Sequence, residues 1–147
     1  MRPSPTDAGA AGARRRRLPA LAALVLAVGV WPGAAAETGD AARGERVFQR
    51  CFACHSVDPA EKAKLQGPSL YRILGRPAAA LAGFEYSDAM RSKAAAGLVW
   101  DAASLDRYLE DPEAMVPGTL MSAPPMRDAQ ERADVIAYLA GLGSSGP

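Results

Sequence analysis

The 147-residue chain is poor in three residue types, and each shortage narrows its chemistry. It has one histidine, two cysteines and three lysines. A structural zinc site usually takes four cysteine or histidine ligands, so the chain is one ligand short of such a site. No segment alternates between apolar and polar residues as a half-buried strand does, and no internal repeat is visible. We therefore expect a helical protein without a structural zinc centre.

The N-terminal segment has the order of an export signal. Four arginines, Arg14 to Arg17, precede an uncharged run that starts at Leu18, and a small-residue site ends at Ala36. This order is typical of a secretory leader. We expect residues 1–36 to be removed during export and residues 37–147 to form one domain in the periplasm. A retained membrane anchor is the alternative, because the uncharged run is just long enough to span a bilayer.

Removal of the leader changes the charge balance of the protein. The full chain has 17 basic and 16 acidic side chains, and the leader holds five arginines and one aspartate. The exported part, with 12 basic and 15 acidic residues, is therefore mildly acidic. It has no basic patch of the kind that binds nucleic acid, so no nucleic-acid partner is expected.

Helical patterns lie at both ends of the exported part, with long loops between them. We expect four helices, over about residues 40–54, 88–96, 101–111 and 128–140. Gly141 and Gly143 are expected to close the last helix, and one helical turn is expected near Leu70 to Leu74. Four helices offer too little apolar surface for a closed core, so the chain is expected to wrap an apolar cofactor.

The stretch RCFACHS holds both cysteines, Cys51 and Cys54, and the only histidine, His55. A disulfide suits an exported protein, but this one would close a tiny loop and add little stability. A thiol–disulfide oxidoreductase needs a βαβ pattern that is absent, and zinc lacks its fourth ligand. The C-x-x-C-H spacing favours covalent haem c. Each thiol then adds to one vinyl group, and the adjacent imidazole ligates the iron.

A haem at this site leaves its second axial ligand to be assigned. Because His55 is the only histidine, ligation by two histidines of this chain is excluded. The exported part has four methionines: Met90, Met115, Met121 and Met126. Packing is the default role for Met90 and Met115. Met121 and Met126 lie in a proline-rich loop that can be held against a haem face.

From Gly44 to Leu139 the chain resembles the small class I cytochromes c, both the mitochondrial type and its bacterial photosynthetic and respiratory relatives. The segments that carry the resemblance are GERVFQRCFACH, GPSLYRILGR, GFEYSDAM, VW, RYLEDPEAMVPGTLM and ERADVIAYL. The resemblance implies an all-α class I cytochrome c fold, in which helices and long loops surround one haem c bound through Cys51 and Cys54. It also implies that His55 and Met121 ligate the iron, with Met126 as the second candidate.

Further roles follow from the same resemblance. Pro68 would accept a hydrogen bond from the ring N–H of His55, which fixes the ring and strengthens it as a ligand. Gly44 and Phe48 would pack against Tyr138 where the first and last helices cross.

The resemblance also implies which residues lie near the haem propionates and the methionine ligand. Tyr86 and Trp100 would donate hydrogen bonds to the propionates, and Arg76 would compensate their charge. Tyr108 would lie near the methionine ligand. Thr119 would donate a hydrogen bond to a propionate or hold the methionine loop, the proline-rich loop that contains Met121.

The chain departs from the mitochondrial type in three respects. The interval from Tyr86 to Trp100 is three residues longer, and Met90 stands where that type usually has an asparagine. The ring of lysines around the methionine loop is also missing, so docking steered by lysines is not expected.

The resemblance implies a monomeric, periplasmic one-electron carrier and not an enzyme. Its partners would be a cytochrome bc complex or a periplasmic dehydrogenase as donor, and a terminal oxidase or photosynthetic reaction centre as acceptor. A membrane-anchored cytochrome c or a dedicated haem subunit of one complex is the alternative. A gas-binding or enzymatic haem protein with an open distal site is disfavoured. The four-helix-bundle cytochromes of that kind carry their C-x-x-C-H near the C-terminus, whereas Cys51 lies near the start of the exported part.

Overall fold

The computed structural model describes residues 38–61 and 63–144. The leader predicted over residues 1–36 lies outside the described residues. In the part of the chain that is described, no helix has both the length and the apolar character needed to cross a membrane.

The described chain is built from five α-helices. They are α1 Ala41–Phe48, α2 Asp88–Ala95, α3 Ala102–Glu110, α4 Pro112–Met115 and α5 Ala129–Ser144. Sheet-like pairing within residues 38–61 and 63–144 is limited to one isolated antiparallel bridge between Pro77 and Val99. The all-α architecture predicted from the sequence is confirmed. The helix α5 packs on α1 and α3, and α4 packs on α3.

Side-chain caps set the starts of the helices. Asp40 accepts a hydrogen bond from the N–H of Arg43 at 2.7 Å and caps α1. Asp101 and Ser104 form a reciprocal capping box at α3, with distances of 2.7 and 2.8 Å. Each cap satisfies N–H groups that have no partner within the helix. These helix starts can therefore be predicted from the sequence, because each capping side chain lies within a few residues of the N–H group that it binds.

The ends of the helices differ from the prediction. The helix α1 stops at Phe48, because the N–H of Cys51 turns back to the Phe48 carbonyl at 2.7 Å in a tighter turn. Gly141 and Gly143 do not close α5, which continues to Ser144. One glycine within a helix costs only about 1 kcal/mol, which tertiary packing overrides.

Two loop segments also differ from the prediction. The helix α4 was not expected. It forms because Asp111 caps it and Pro112 occupies its first turn, where no N–H partner is needed. The helical turn expected at Leu70 to Leu74 is a series of non-helical turns.

The crossing of α1 and α5 brings the two backbones into direct contact at Gly44. A Cβ atom added to Gly44 would lie 1.9 Å from the carbonyl oxygen of Asp134. Beside this contact the rings of Phe48 and Tyr138 pack with their centroids 5.5 Å apart. Glycine is therefore required at this position for the two helices to approach closely.

The carboxylate of Asp134 joins the start of the domain to α5. It accepts two hydrogen bonds from the guanidinium of Arg43 at 2.7 and 2.9 Å. It accepts others from the N–H of Asp40 at 2.7 Å and the side chain of Gln130 at 2.9 Å. These donors, the Arg43 side chain first, hold the pKa of Asp134 well below its usual range. The side chain is only 4% exposed, so the charged form needs all of these partners.

This carboxylate predicts acid sensitivity of the fold. Because its folded pKa is depressed, its contribution to stability is complete above the unfolded-state pKa of about 3.9 and is lost as the pH falls towards the folded pKa. We expect Asp134→Asn to lower the denaturation midpoint of the holo-protein at pH 7. The difference in denaturation midpoint between this variant and the wild type should shrink as the pH falls from about 4 to about 2, because the wild type then loses the charge of Asp134.

The matched control is Asp88→Asn. Asp88 pairs with Arg91 at the same 2.7 Å, but its side chain is 98% exposed. This variant should behave as the wild type at every pH, because exposed ion pairs add little to stability. If the denaturation midpoint of Asp134→Asn stayed below that of the wild type by the same amount at every pH, the acid sensitivity could not be assigned to Asp134.

Candidate functional site

One cavity of about 340 Å³ lies at the centre of the described residues. This volume is within the range of cofactor sites, about 300–1,000 Å³. All ten residues predicted to hold the haem line it, although their roles stay predictions. They are Cys51, Cys54, His55, Pro68, Arg76, Tyr86, Trp100, Tyr108, Thr119 and Met121. Side chains brought together from residues 48 to 139 therefore form a single site.

The two cysteines reach the cavity from consecutive turns after α1. The N–H of Cys54 bonds the Cys51 carbonyl at 3.1 Å, and the N–H of His55 bonds the same carbonyl at 3.0 Å. Both thiols are half-buried and are not joined in a disulfide. Burial raises the pKa of the Cys51 thiol. Two thiols and one imidazole thus face one apolar cavity.

The imidazole of His55 is oriented by a main-chain carbonyl. Its Nδ1 lies 2.7 Å from the carbonyl oxygen of Pro68. A carbonyl can only accept a hydrogen bond, so Nδ1 carries the proton and Nε2 keeps a free lone pair. Burial also lowers the pKa of the ring, although the Pro68 bond opposes this shift. The structure therefore presents the neutral tautomer with Nε2 available to a metal ion.

Gly67 packs directly against the His55 ring. A Cβ atom added to Gly67 would lie 2.3 Å from Cε1 of the imidazole. The N–H of Gly67 is also bonded to the Cys54 carbonyl at 2.8 Å, which ties the loop to the turn that carries both cysteines. The contact of Gly67 with the ring was not predicted, because the local sequence pattern does not reveal which side chain a glycine faces.

The structure separates the four methionines by position. Met121 and Met90 line the cavity, whereas Met115 and Met126 are absent from its lining. Met126 is half-buried, and its N–H bonds the Leu109 carbonyl at 2.8 Å. Met121 is therefore better placed than Met126 to face a cofactor. The cavity position of Met90 was not predicted, because its helical context favoured ordinary packing.

A short chain of hydrogen bonds supports Met121. The hydroxyls of Tyr108 and Thr119 lie 2.6 Å apart, and the Thr119 hydroxyl accepts from the N–H of Met121 at 3.2 Å. Burial raises the pKa of the Tyr108 phenol, although the Thr119 bond opposes this shift. These contacts fix the backbone of Met121 to the buried face of α3.

The polar end of the cavity contains Arg76. Its guanidinium donates to the carbonyls of Ser69 at 2.9 Å and Tyr71 at 2.5 Å. Trp100 is buried beside Tyr108, with ring centroids 5.1 Å apart, and its main-chain N–H donates to the Arg76 carbonyl at 2.9 Å. An arginine held in this way keeps its charge and offers it to an anionic group at the cavity wall.

A wider cleft of about 910 Å³ lies beside this cavity. Residues between 56 and 85 line it, among them Asp58, Glu61, Lys64 and Arg72. The cysteines, His55 and Met121 do not contribute to it. Its mixed charges and open form do not suit an apolar cofactor.

The donor set in the central cavity fits a covalent haem. Two thiols, a neutral imidazole with a free Nε2 and a thioether all line one mainly apolar cavity. Arg76 adds a positive charge that suits carboxylate groups. The chemistry of these donors therefore agrees with haem c attached through Cys51 and Cys54.

Comparisons with known proteins agree with this reading. The Cytochrome c family model matches residues 41–143. The chain is 47% identical to cytochrome c2 of Rhodomicrobium vannielii over 118 residues, which cover 80% of this chain and 91% of that protein. It is 40% identical to cytochrome c2 of Blastochloris viridis over 122 residues, or 83% of this chain and 91% of that protein.

Solved structures give the same result for the fold. The structure of cytochrome c2 from Rhodospirillum centenum superposes with a TM-score of 0.66 at 37% sequence identity. The match covers 71% of this chain and 98% of the other chain.

The contact of Gly67 with His55 predicts a sensitive position. We expect Gly67→Ala to displace the imidazole, weaken its bond to the Pro68 carbonyl and speed exchange of the Nδ1 proton by about tenfold or more. Exchange of this proton is measured by NMR in the ferrous holo-protein. Gly141→Ala is the control, because a Cβ atom there meets no atom within 4 Å. Equal exchange rates in both variants would contradict the assigned contact.

Proposed function

The chain belongs to the class I cytochrome c family and carries one covalent haem c, and from this we propose a periplasmic one-electron carrier with His55 and Met121 as its axial ligands. The family membership predicted from the sequence is confirmed, as is the expectation of an electron-transfer protein and not an enzyme. We propose three further properties: the periplasmic location, the ligand pair of His55 and Met121, and the redox partners.

The shared cavity of His55 and Met121 is the observation that carries this proposal. When bound, the haem supplies an iron that cycles between ferric and ferrous states and so holds one electron. Cys51 and Cys54 would tether it, and His55 would ligate through Nε2. A thioether from Met121 favours the reduced state, as suits an electron carrier.

The other lining residues would control the environment of the haem. Arg76 would balance the negative charge of the propionates, with Tyr86 and Trp100 as hydrogen-bond donors to them. The buried phenol of Tyr108 and the hydroxyl of Thr119 would hold the loop that carries Met121. With both axial positions filled by side chains, the site would bind no substrate at the iron.

Electrons would enter and leave at the edge of the cavity near the two cysteines. Phe52 is 59% exposed between them, and Leu120 is 79% exposed beside Met121. Exposed apolar side chains of this size suit small, transient contacts between proteins. A shuttle needs such contacts, because it must leave one partner to reach the next.

We place the carrier between a cytochrome bc complex or periplasmic dehydrogenase and an oxidase or reaction centre. The similarity to bacterial cytochromes c2 supports this position in electron transfer. The leader over residues 1–36 would direct residues 37–147 to the periplasm, where they would act as a monomer.

The spectrum of the ferric protein tests the ligand pair. We expect a low-spin spectrum with a sulfur-to-iron charge-transfer band. The band should be lost in Met121→Ala and kept in Met126→Ala, because Met121 lines the cavity and Met126 does not. Met90→Ala is a second control, since it removes the other thioether of the cavity. A high-spin ferric spectrum, or a band that survives in Met121→Ala, would refute the assignment.

A further inference from the structure

Arg132 is a buried cation on α5 whose contacts reach two other parts of the fold, α3 and the segment after Met121. Its side chain lies on α5 and is only 8% exposed. Its Nε donates to Asp106 of α3 at 2.7 Å, and its Nη2 lies 4.0 Å from a carboxylate oxygen of Glu110. Its Nη1 donates to the main-chain carbonyls of Met126 and Arg127 at 2.9 and 3.2 Å.

The two carbonyls belong to the segment that follows Met121. A guanidinium has five donors in a planar fork, so one side chain can bind a carboxylate and two carbonyls together. Because the charge of Arg132 is buried, loss of these partners would be costly. The buried cation therefore favours a fixed position of Met126 and Arg127 against α3 and α5.

The same segment is also held by the backbone of α3. The N–H of Met126 bonds the Leu109 carbonyl at 2.8 Å. At the other end of the loop, the Thr119 hydroxyl holds the N–H of Met121. Met121 thus lies in a loop fastened at Thr119 on one side and at Met126 and Arg127 on the other.

We propose that Arg132 is a positioning residue for the axial thioether of Met121, an inference that rests on the proposed function. By fastening the exit of the loop, Arg132 lowers the freedom that the loop would gain if the thioether left the iron. In the ferric protein, Arg132 therefore disfavours displacement of the Met121 thioether by ligands from solution. Arg132 does not line the cavity, so it acts only through the backbone of the loop.

Imidazole binding to the ferric holo-protein measures this effect. Imidazole enters only when Met121 is displaced, so its apparent Kd falls as the open fraction rises. We expect Arg132→Gln to bind imidazole about tenfold more tightly than the wild type, the change that follows the loss of one hydrogen bond to a charged group. The titration is followed by loss of the sulfur-to-iron band.

The matched control is Arg43→Gln. Arg43 lies on α1 and, like Arg132, donates to an aspartate at 2.7 Å; this aspartate is Asp134 of α5. No hydrogen bond or ion pair joins Arg43 to the loop that carries Met121. Both variants should lower the denaturation midpoint, whereas only the Arg132 variant should bind imidazole more tightly. This comparison separates a role in positioning from a general loss of stability.

Arg132→Lys provides a second measurement if the glutamine variant does not fold. Lysine keeps the charge but lacks the fork, so we expect an imidazole affinity between those of the wild type and Arg132→Gln. Equal imidazole affinities in the Arg132 and Arg43 variants would overturn the inference while leaving the ligand pair intact. Survival of the band in Met121→Ala would instead refute the proposed function itself.

Discussion

The hydrogen bond between His55 and the Pro68 carbonyl is the constraint on which the rest of the site depends. It selects the tautomer, fixes the ring plane and leaves Nε2 as the free nitrogen. The contact is possible because Gly67 has no side chain where the ring lies. The turn of Cys51 to Cys54 is tied to the same loop, so both tethers and the imidazole are positioned together.

The helix α5 connects this site to the stability of the whole domain. Asp134 joins α5 to the first helix, and Arg132 joins it to α3 and the loop after Met121. The close approach at Gly44 holds α1 against α5, the helix that carries both Asp134 and Arg132. A small domain with a large cofactor cavity has little apolar core of its own, so fixed polar contacts of this kind hold its loops in place.

Much of the domain could be predicted from the sequence, because its signals are local. Asp40 and Asp101 mark helix starts through their own side chains, and C-x-x-C-H is a single short motif. The choice of Met121 needed the family resemblance, since Met126 lies in the same loop. The clusters around Asp134 and Arg132 could not be predicted. Their partners lie up to 94 residues away, and periodicity carries no information about such distant pairs.

A crystal structure of the ferric holo-protein is the decisive test of the haem attachment and the axial ligand pair. We expect one haem bonded to the sulfurs of Cys51 and Cys54, with its iron ligated by Nε2 of His55 and the sulfur of Met121. The Nδ1 of His55 should remain within hydrogen-bond distance of the Pro68 carbonyl. Ligation through Nδ1, or through the sulfur of Met90 or Met126, would refute this ligand assignment.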